Sequence, residues 1–410
     1  MGEVMSRRAR SKAPIPYSDS AASHRCCAPS YSLEEASSKQ KNRYVAIFFC
    51  IFSKFLLILQ CKSNYTTMIN EKSFDKVVQG KQVGLFTLTS AEGLKAQITN
   101  YGAKIVSLFV PNAAGEVADV VLGFSTLDEW LNQEVYFNGI NGRTAGRIAG
   151  AQIEIDGVVY NLTKNCGEHM LHGGVQGFND KVWDVEQVSD THVRLHYLSV
   201  DGEEGFPGNL HVYVTYRLEE KDLVIQYEAT TDKATILNLT NHAYFNLKGE
   251  GEGTVHDHTL QVLSGEYIPY DEKIMPLGTV ASVEGTPMDM REGVVIADRI
   301  DDKFFAAGLG IDNGWALPGW NEEGKMLRKA AVLEGGGRKM ETWTTFPCMQ
   351  VYSGNYVEKH LGKSGKMYDV QCAICLEAEM FPDAIHYPLF PNTILRPGEL
   401  WEHETVYRFV

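Results

Sequence analysis

Positive charge is in short supply: 38 Lys and Arg stand against 52 Asp and Glu, a formal net charge of −14. Non-specific grip on nucleic acid needs the opposite balance, so that class is excluded. Proline is sparse, 14 in 410 residues, beside 38 Gly and 44% hydrophobic residues, which excludes disordered and collagen-like chains. Cysteine numbers only eight, with no metal-ligand grouping, so neither a disulfide scaffold nor a metal site is expected. The one close pair, Cys372 and Cys375, lies in a run of period 2 that sets the two thiols on opposite faces, against a joint redox or zinc role. βαβ alternation is missing, which removes doubly wound and TIM-barrel folds. Helical patterning is confined to short stretches near 126–133 and 297–306.

No apolar run reaches the ~20 residues that span a bilayer. The nearest, 44–59 (YVAIFFCIFSKFLLIL), is shorter and carries Ser53 and Lys54. It sits in a segment of different character. Residues 1–67 have a net charge of +6, against −20 for 68–410, and hold four of the eight cysteines. The run is nearer the apolar core of a secretory signal, yet it lies far from Met1 and lacks a small-x-small cleavage site. A lipoprotein reading would use Cys61, but Gln60 is larger than the residue expected before it. Two readings stay open: residues 1–67 are a basic, apolar leader for export or anchoring, or translation starts at Met68. A membrane is a partner only under the first. The folded domain is expected over 68–410.

What is present beyond Met68 is alternation. Runs of period 2 cover 104–110, 117–124, 192–200, 210–218, 223–229, 235–247, 370–380 and 401–409, parted by Gly, Asp and Asn turns. In 210–218 one face is Leu210, Val212, Val214, Tyr216 and Leu218, the other His211, Tyr213, Thr215 and Arg217. Many such strands, few short helices and no internal linker predict one large antiparallel β-sandwich.

Two strands carry candidate chemistry. The run 235–247 places Asn238, Thr240, His242, Tyr244 and Asn246 on one face, which reads as the lining of a cleft for a neutral polar ligand such as a sugar. In 370–380, Glu377 shares a face with Cys375 and Glu379 and has apolar neighbours in sequence. Partial desolvation and the like charge of Glu379 would raise its pKa and fit it for general-base work near neutral pH.

Three segments carry a resemblance. Leu171-His172-Gly173-Gly174 runs on to Asp180-Lys181-Val182-Trp183; Leu239-Thr240-Asn241-His242-Ala243-Tyr244-Phe245-Asn246-Leu247 follows; then Cys375-Leu376-Glu377 leads through Phe381-Pro382-Asp383-Ala384 to Leu395-Arg396-Pro397-Gly398-Glu399. In content, order and spacing these resemble the aldose 1-epimerase (galactose mutarotase) family, over nearly all of 68–410. The resemblance implies an all-β, large antiparallel β-supersandwich, interconversion of the anomers of free aldoses, a small-molecule aldose as partner and no cofactor. It implies Glu377 as general base, His242 as general acid, and Arg147, His172, Tyr244, Asp312 and Gln350 as substrate contacts. One departure stands out: Gly146 occupies the position before Arg147 where the family usually has Asn. Loss of that amide removes a hydrogen bond to a sugar hydroxyl, unless the amide of nearby Asn141 compensates, and leaves the sugar preference open. A phosphorylated-hexose 1-epimerase remains an alternative, although no cluster of Lys or Arg lies near the matched motifs beyond Arg147. So does a non-catalytic carbohydrate-binding protein, which would have no reason to keep His242 and Glu377 together.

Overall fold

The alternation over 210–218 becomes the strand Leu210–Glu219, with Leu210, Val212, Val214 and Tyr216 fully buried and His211, Tyr213 and Arg217 half-buried. It belongs to a nine-stranded antiparallel sheet. In spatial order the strands are Asp184–Val188, His192–Ser199, Leu210–Glu219, Asp222–Thr231, Trp401–Phe409, Arg338–Thr344, Arg328–Gly335, Thr259–Val262 and Val294–Val295. The computed structural model describes residues 68–132, 136–322 and 324–410. Residues 1–67, with the apolar run 44–59, lie outside the described residues.

A second sheet has six strands: β1 (Tyr244–Phe245), β2 (Glu266–Ile268), β3 (Ala281–Ser282), β4 (Asp312–Ala316), β5 (Cys348–Tyr352) and β6 (Ile374–Glu379), in the spatial order β1-β6-β5-β4-β2-β3. A third, four-stranded sheet runs Leu85–Thr89, Lys95–Thr99, Lys104–Pro111 and Val117–Asp119. One contiguous core joins all three, with Val212 and Leu223 from the first, Trp315, Met349 and Leu376 from the second, and Ile98 and Leu108 from the third. Each fully buried Leu or Val contributes ~1.5–3 kcal/mol, so this shared core holds the sheets as a sandwich. The expected all-β supersandwich is what the chain forms.

Helices are few and short. Thr126 caps Leu127–Leu131, reciprocated by Glu129; Gln133, included in the expected stretch, lies outside the described residues. The second expected stretch is two 3-10 turns, Ile296–Asp298 and Lys303–Gly308. Among the described residues no helix is long and apolar enough to cross a membrane.

Three strand expectations need correction. The run 117–124 is a strand only over Val117–Asp119. The run 370–380 is a strand only over Ile374–Glu379, and the chain turns before it, so Cys372 and Cys375 enter the same apolar cluster instead of opposite faces. The run 235–247 is not one strand but three two-residue strands: Thr235–Ile236 pairs with Ile394–Leu395, Thr240–Asn241 with Ile140–Asn141, and Tyr244–Phe245 with β6. Each changes partner, so every residue from Thr235 to Leu247 is buried and no polar face meets solvent.

Candidate functional site

Strands β4, β5 and β6 send alternate residues to opposite sides, as pleating requires. Trp315, Met349, Val351, Ile374, Leu376 and Ala378 enter the main core. Asp312, Gln350, Tyr352, Glu377 and Glu379 line a cavity of about 280 Å³ on the other side. Register sets them in rows: Gln350 lies opposite Gly314 on one side and Glu377 on the other, while Tyr352 lies opposite Asp312 and Cys375. β1 extends the second row, with Tyr244 opposite Cys375.

His242 reaches the same cavity from the link just before β1. Its N–H donates to the Gly139 carbonyl at 3.0 Å and its carbonyl accepts from the Asn138 N–H at 2.9 Å. Its ring stacks on Tyr244 with centroids 4.9 Å apart and an interplanar angle of 10°. Nε2 lies 3.4 Å from Glu377 Oε2, and the two side chains are 5% and 3% exposed. That separation is short enough for an ion pair, but burial opposes one. Desolvation lowers the imidazole to about 3. It holds the Glu377 carboxyl well above the usual range, helped by the charges of Glu379 and Asp312. Both shifts favour neutral imidazole beside neutral carboxyl over an ion pair.

The opposite rim comes from a hairpin. Arg147 lies opposite Leu171, and Gly146 pairs with His172: the His172 N–H donates to the Gly146 carbonyl at 3.0 Å, and the Gly146 N–H to His172 Nδ1 at 3.4 Å. Burial, with the neighbouring His242 and Arg147, keeps His172 well below its ordinary pKa. A neutral ring that accepts at Nδ1 carries its proton on Nε2, so His172 offers one donor. The next residue must be glycine: Gly173 has φ +89°, and a Cβ there would lie 1.8 Å from the Gly142 carbonyl oxygen. Among the described residues Arg147 forms no ion pair, although it faces Asp312 closely enough to oppose the upward push of burial on that carboxyl. Gln350 Nε2 donates to Asp312 Oδ1 at 2.7 Å, and Tyr270 Oη donates to Gln350 Oε1 at 2.9 Å.

All seven residues singled out in the sequence, His242, Glu377, Arg147, His172, Tyr244, Asp312 and Gln350, line this one cavity. The amides of the 235–247 run do not. Asn238 accepts from Met380 N–H at 2.8 Å, Asn241 donates to the Asn138 carbonyl at 2.9 Å, and Asn246 donates to the Cys372 carbonyl at 3.0 Å, so they serve the backbone. Asn141 is fully buried outside the cavity, with neither amide atom partnered, and cannot replace the amide missing at Gly146. Tyr136, Tyr270, Tyr352 and Tyr356 are further lining residues that sequence reasoning missed. Tyr352 was within reach, two residues from Gln350 on one strand face; Tyr270 lies in a loop without periodicity. Linear spacing also hid one cluster: His242, Cys375 and Glu377 offer ligand atoms that all lie within 4.8 Å of one another.

These features define an all-β protein whose site sets an imidazole against a buried carboxyl, ringed by hydrogen-bonding groups. Residues 84–408 match the family model described as aldose 1-epimerase. The chain belongs to the aldose 1-epimerase family. A galactose mutarotase of Pongo abelii is 39% identical over 331 residues, covering 80% of this chain and 95% of the relative. An aldose 1-epimerase of Escherichia coli K12 is 34% identical over 337 residues, covering 81% and 96%. Among solved structures, the GalM/aldose epimerase homologue from C. elegans superposes with a TM-score of 0.73 at 29% identity, covering 80% of this chain and 99% of that one. Galactose 1-epimerase from Lactobacillus acidophilus NCFM gives 0.71 at 27%, covering 82% and 96%.

Proposed function

We propose that the protein interconverts the α and β anomers of free aldohexoses such as glucose and galactose, with Glu377 and His242 exchanging protons with the sugar. The observation that carries this is the 3.4 Å approach of His242 Nε2 to Glu377 Oε2 in the cavity. Neutral imidazole with carboxylic acid holds the same one proton as imidazolium with carboxylate. Passing it between the two groups converts the resting pair into the working pair, and sugar hydroxyls solvate the carboxylate once bound.

Glu377 then takes the proton from the C1 hydroxyl while His242 gives one to the ring oxygen, and the C1–O5 bond breaks to leave the open-chain aldehyde. Rotation about C1–C2 presents the other carbonyl face. Reversal of both transfers closes the opposite anomer and restores the pair. Each positioned acid or base supplies ~10²–10⁴-fold, so a large acceleration needs both. Arg147 and the His172 Nε2–H donate to sugar hydroxyls, Asp312 and Gln350 fix their orientation, and Tyr244 backs the imidazole.

The relatives named galactose mutarotase and aldose 1-epimerase support this reading. Arg147 is the one Lys or Arg among the cavity-lining residues, which favours a neutral sugar over a phosphorylated hexose. A binding protein without catalysis would gain nothing from burying an imidazole and a carboxyl side by side, each pushed toward its neutral form. Polarimetry of freshly dissolved α-D-glucose, α-D-galactose and a hexose 6-phosphate tests all three readings. The free sugars should equilibrate faster and the phosphate at its spontaneous rate; the reading is wrong if no free aldose is accelerated or if the phosphate is preferred. We place the protein in the cytoplasm where translation starts at Met68, and at a membrane or outside the cell where the leader is used. Mass spectrometry of the native N-terminus separates the two.

A further inference from the structure

Cys375 is a fully buried thiol that the proton transfers do not use. It lies two residues before Glu377 on the same face of β6 and opposite Tyr244, whose ring stacks on His242. One ring nitrogen of His242, the Cys375 sulfur and a Glu377 oxygen are mutually within 4.8 Å. His242 Nδ1 is buried with no hydrogen-bond partner. We propose that these three side chains form an inhibitory site for a thiophilic divalent cation, of which zinc is the best fit.

The donor set is one nitrogen, one sulfur and one oxygen, the mixture that zinc accepts and that magnesium and calcium do not. Zinc bonds of ~2.0–2.3 Å place tetrahedral ligands ~3.3–3.8 Å apart, so modest side-chain rotation closes the present spacing. Charge argues the same way. A dication with one thiolate, one carboxylate and one neutral imidazole is neutral overall, whereas each charge alone would be costly to bury. Binding displaces the thiol proton and the carboxyl proton to solvent. It leaves one coordination position for water or a sugar hydroxyl, the pattern of open zinc sites.

The consequence is inhibition. The ion occupies both the proton acceptor and the proton donor, so ring opening stops while the fold stays intact. Cys375 has no exposed surface and, of the three ligands, His242 and Glu377 line the cavity, so the ion enters where the sugar does and the two compete. The inhibition, but not the metal site, rests on the anomer-interconversion reading above.

The test uses the full chain. Cobalt(II) serves as a visible stand-in for zinc, followed by zinc displacement, with mutarotation of α-D-galactose measured in parallel. We expect one ion per chain, a sulfur-to-cobalt charge-transfer band abolished by zinc, and loss of activity with zinc that EDTA restores. Saturating galactose should raise the zinc concentration required. Cys375→Ser should keep mutarotation near wild type and lose the band. Its zinc affinity should drop by more than the ~10–100-fold that an outer-shell partner costs. If that variant folds poorly, Cys375→Ala and the wild-type band identify the sulfur ligand. The proposal falls if no charge-transfer band forms at excess cobalt, or if zinc inhibits Cys375→Ser as strongly as wild type. If the protein proved inactive on every aldose, the band and the ion count would still decide the site.

Discussion

The two faces of β4, β5 and β6 share one backbone and obey different rules. On the core face Trp315, Met349, Val351, Leu376 and Ala378 are 0–2% exposed and apolar, the arrangement that maximises stability. On the cavity face the same strands bury Gln350 and Glu377, with Glu379 and half-buried Asp312, and leave three carboxyls near one another without a cation among them except Arg147. The fold tolerates this because the core face is extensive. What the cavity face gains is a pair of groups pushed toward their neutral forms and therefore able to pass a proton.

If the division is sound, substitutions on one face should leave the other's property alone. The largest effect belongs to Glu377→Gln, which keeps shape and removes the base. Acceleration of mutarotation should fall ~10²–10⁴-fold while sugar binding, measured by calorimetry, holds and the melting temperature does not fall. Next comes Trp315→Ala on the core face, with an expected stability loss of ~3–5 kcal/mol in urea unfolding. Molecules that remain folded should keep near-normal turnover. A collapse of turnover with stability intact would show the faces to be coupled.

Glu379→Gln sharpens the comparison through pH. Burial raises the Glu379 carboxyl from 4.5 to about 8 in the folded chain. A raised folded pKa contributes stability that is fully present below the unfolded value and is lost as the pH rises from there through about 8. The amide has no such loss. The variant should match wild type near pH 4 and melt at a higher temperature above pH 8; equal melting temperatures there would contradict the assignment. Gly146→Asn should have the smallest effect. Gly146 has φ +69° and a Cβ would sit 3.2 Å from Pro382 Cβ, so Asn, which tolerates this backbone better than most residues, fits only with adjustment. The expected outcome is a fewfold lower Michaelis constant for at least one aldohexose. An unchanged specificity profile would mean that other groups already fill the gap.

The same contrast explains what was legible in the sequence. Strands such as Leu210–Glu219 bury one face and wet the other, so their alternation is visible. Between Thr235 and Leu247 the chain changes partner every few residues and is buried throughout, so alternation there does not mark a single strand. His242 and Tyr244 nonetheless line the cavity, because the last pairing, to β6, sets Tyr244 beside it. Arg143 and Arg147 show the limit. Both follow a glycine in GRTAGR, yet Arg143 is buried on the carbonyls of Ser199, Pro207 and Gly208 while Arg147 lines the cavity. Composition and spacing are alike at the two positions; only long-range packing separates them. The His242, Cys375 and Glu377 cluster was hidden for the same reason, since His242, in the link before β1, meets the two β6 residues from more than 130 positions away.

The central claim is that His242 and Glu377 act as one proton-carrying unit. A double-mutant cycle of Glu377→Gln, His242→Asn and their combination, read as turnover of α-D-galactose, tests it most directly. Groups that act as a unit are strongly non-additive, so each single variant should lose most of the acceleration and the double variant little more. Losses that multiply, or a single variant within a fewfold of wild type, would contradict the account.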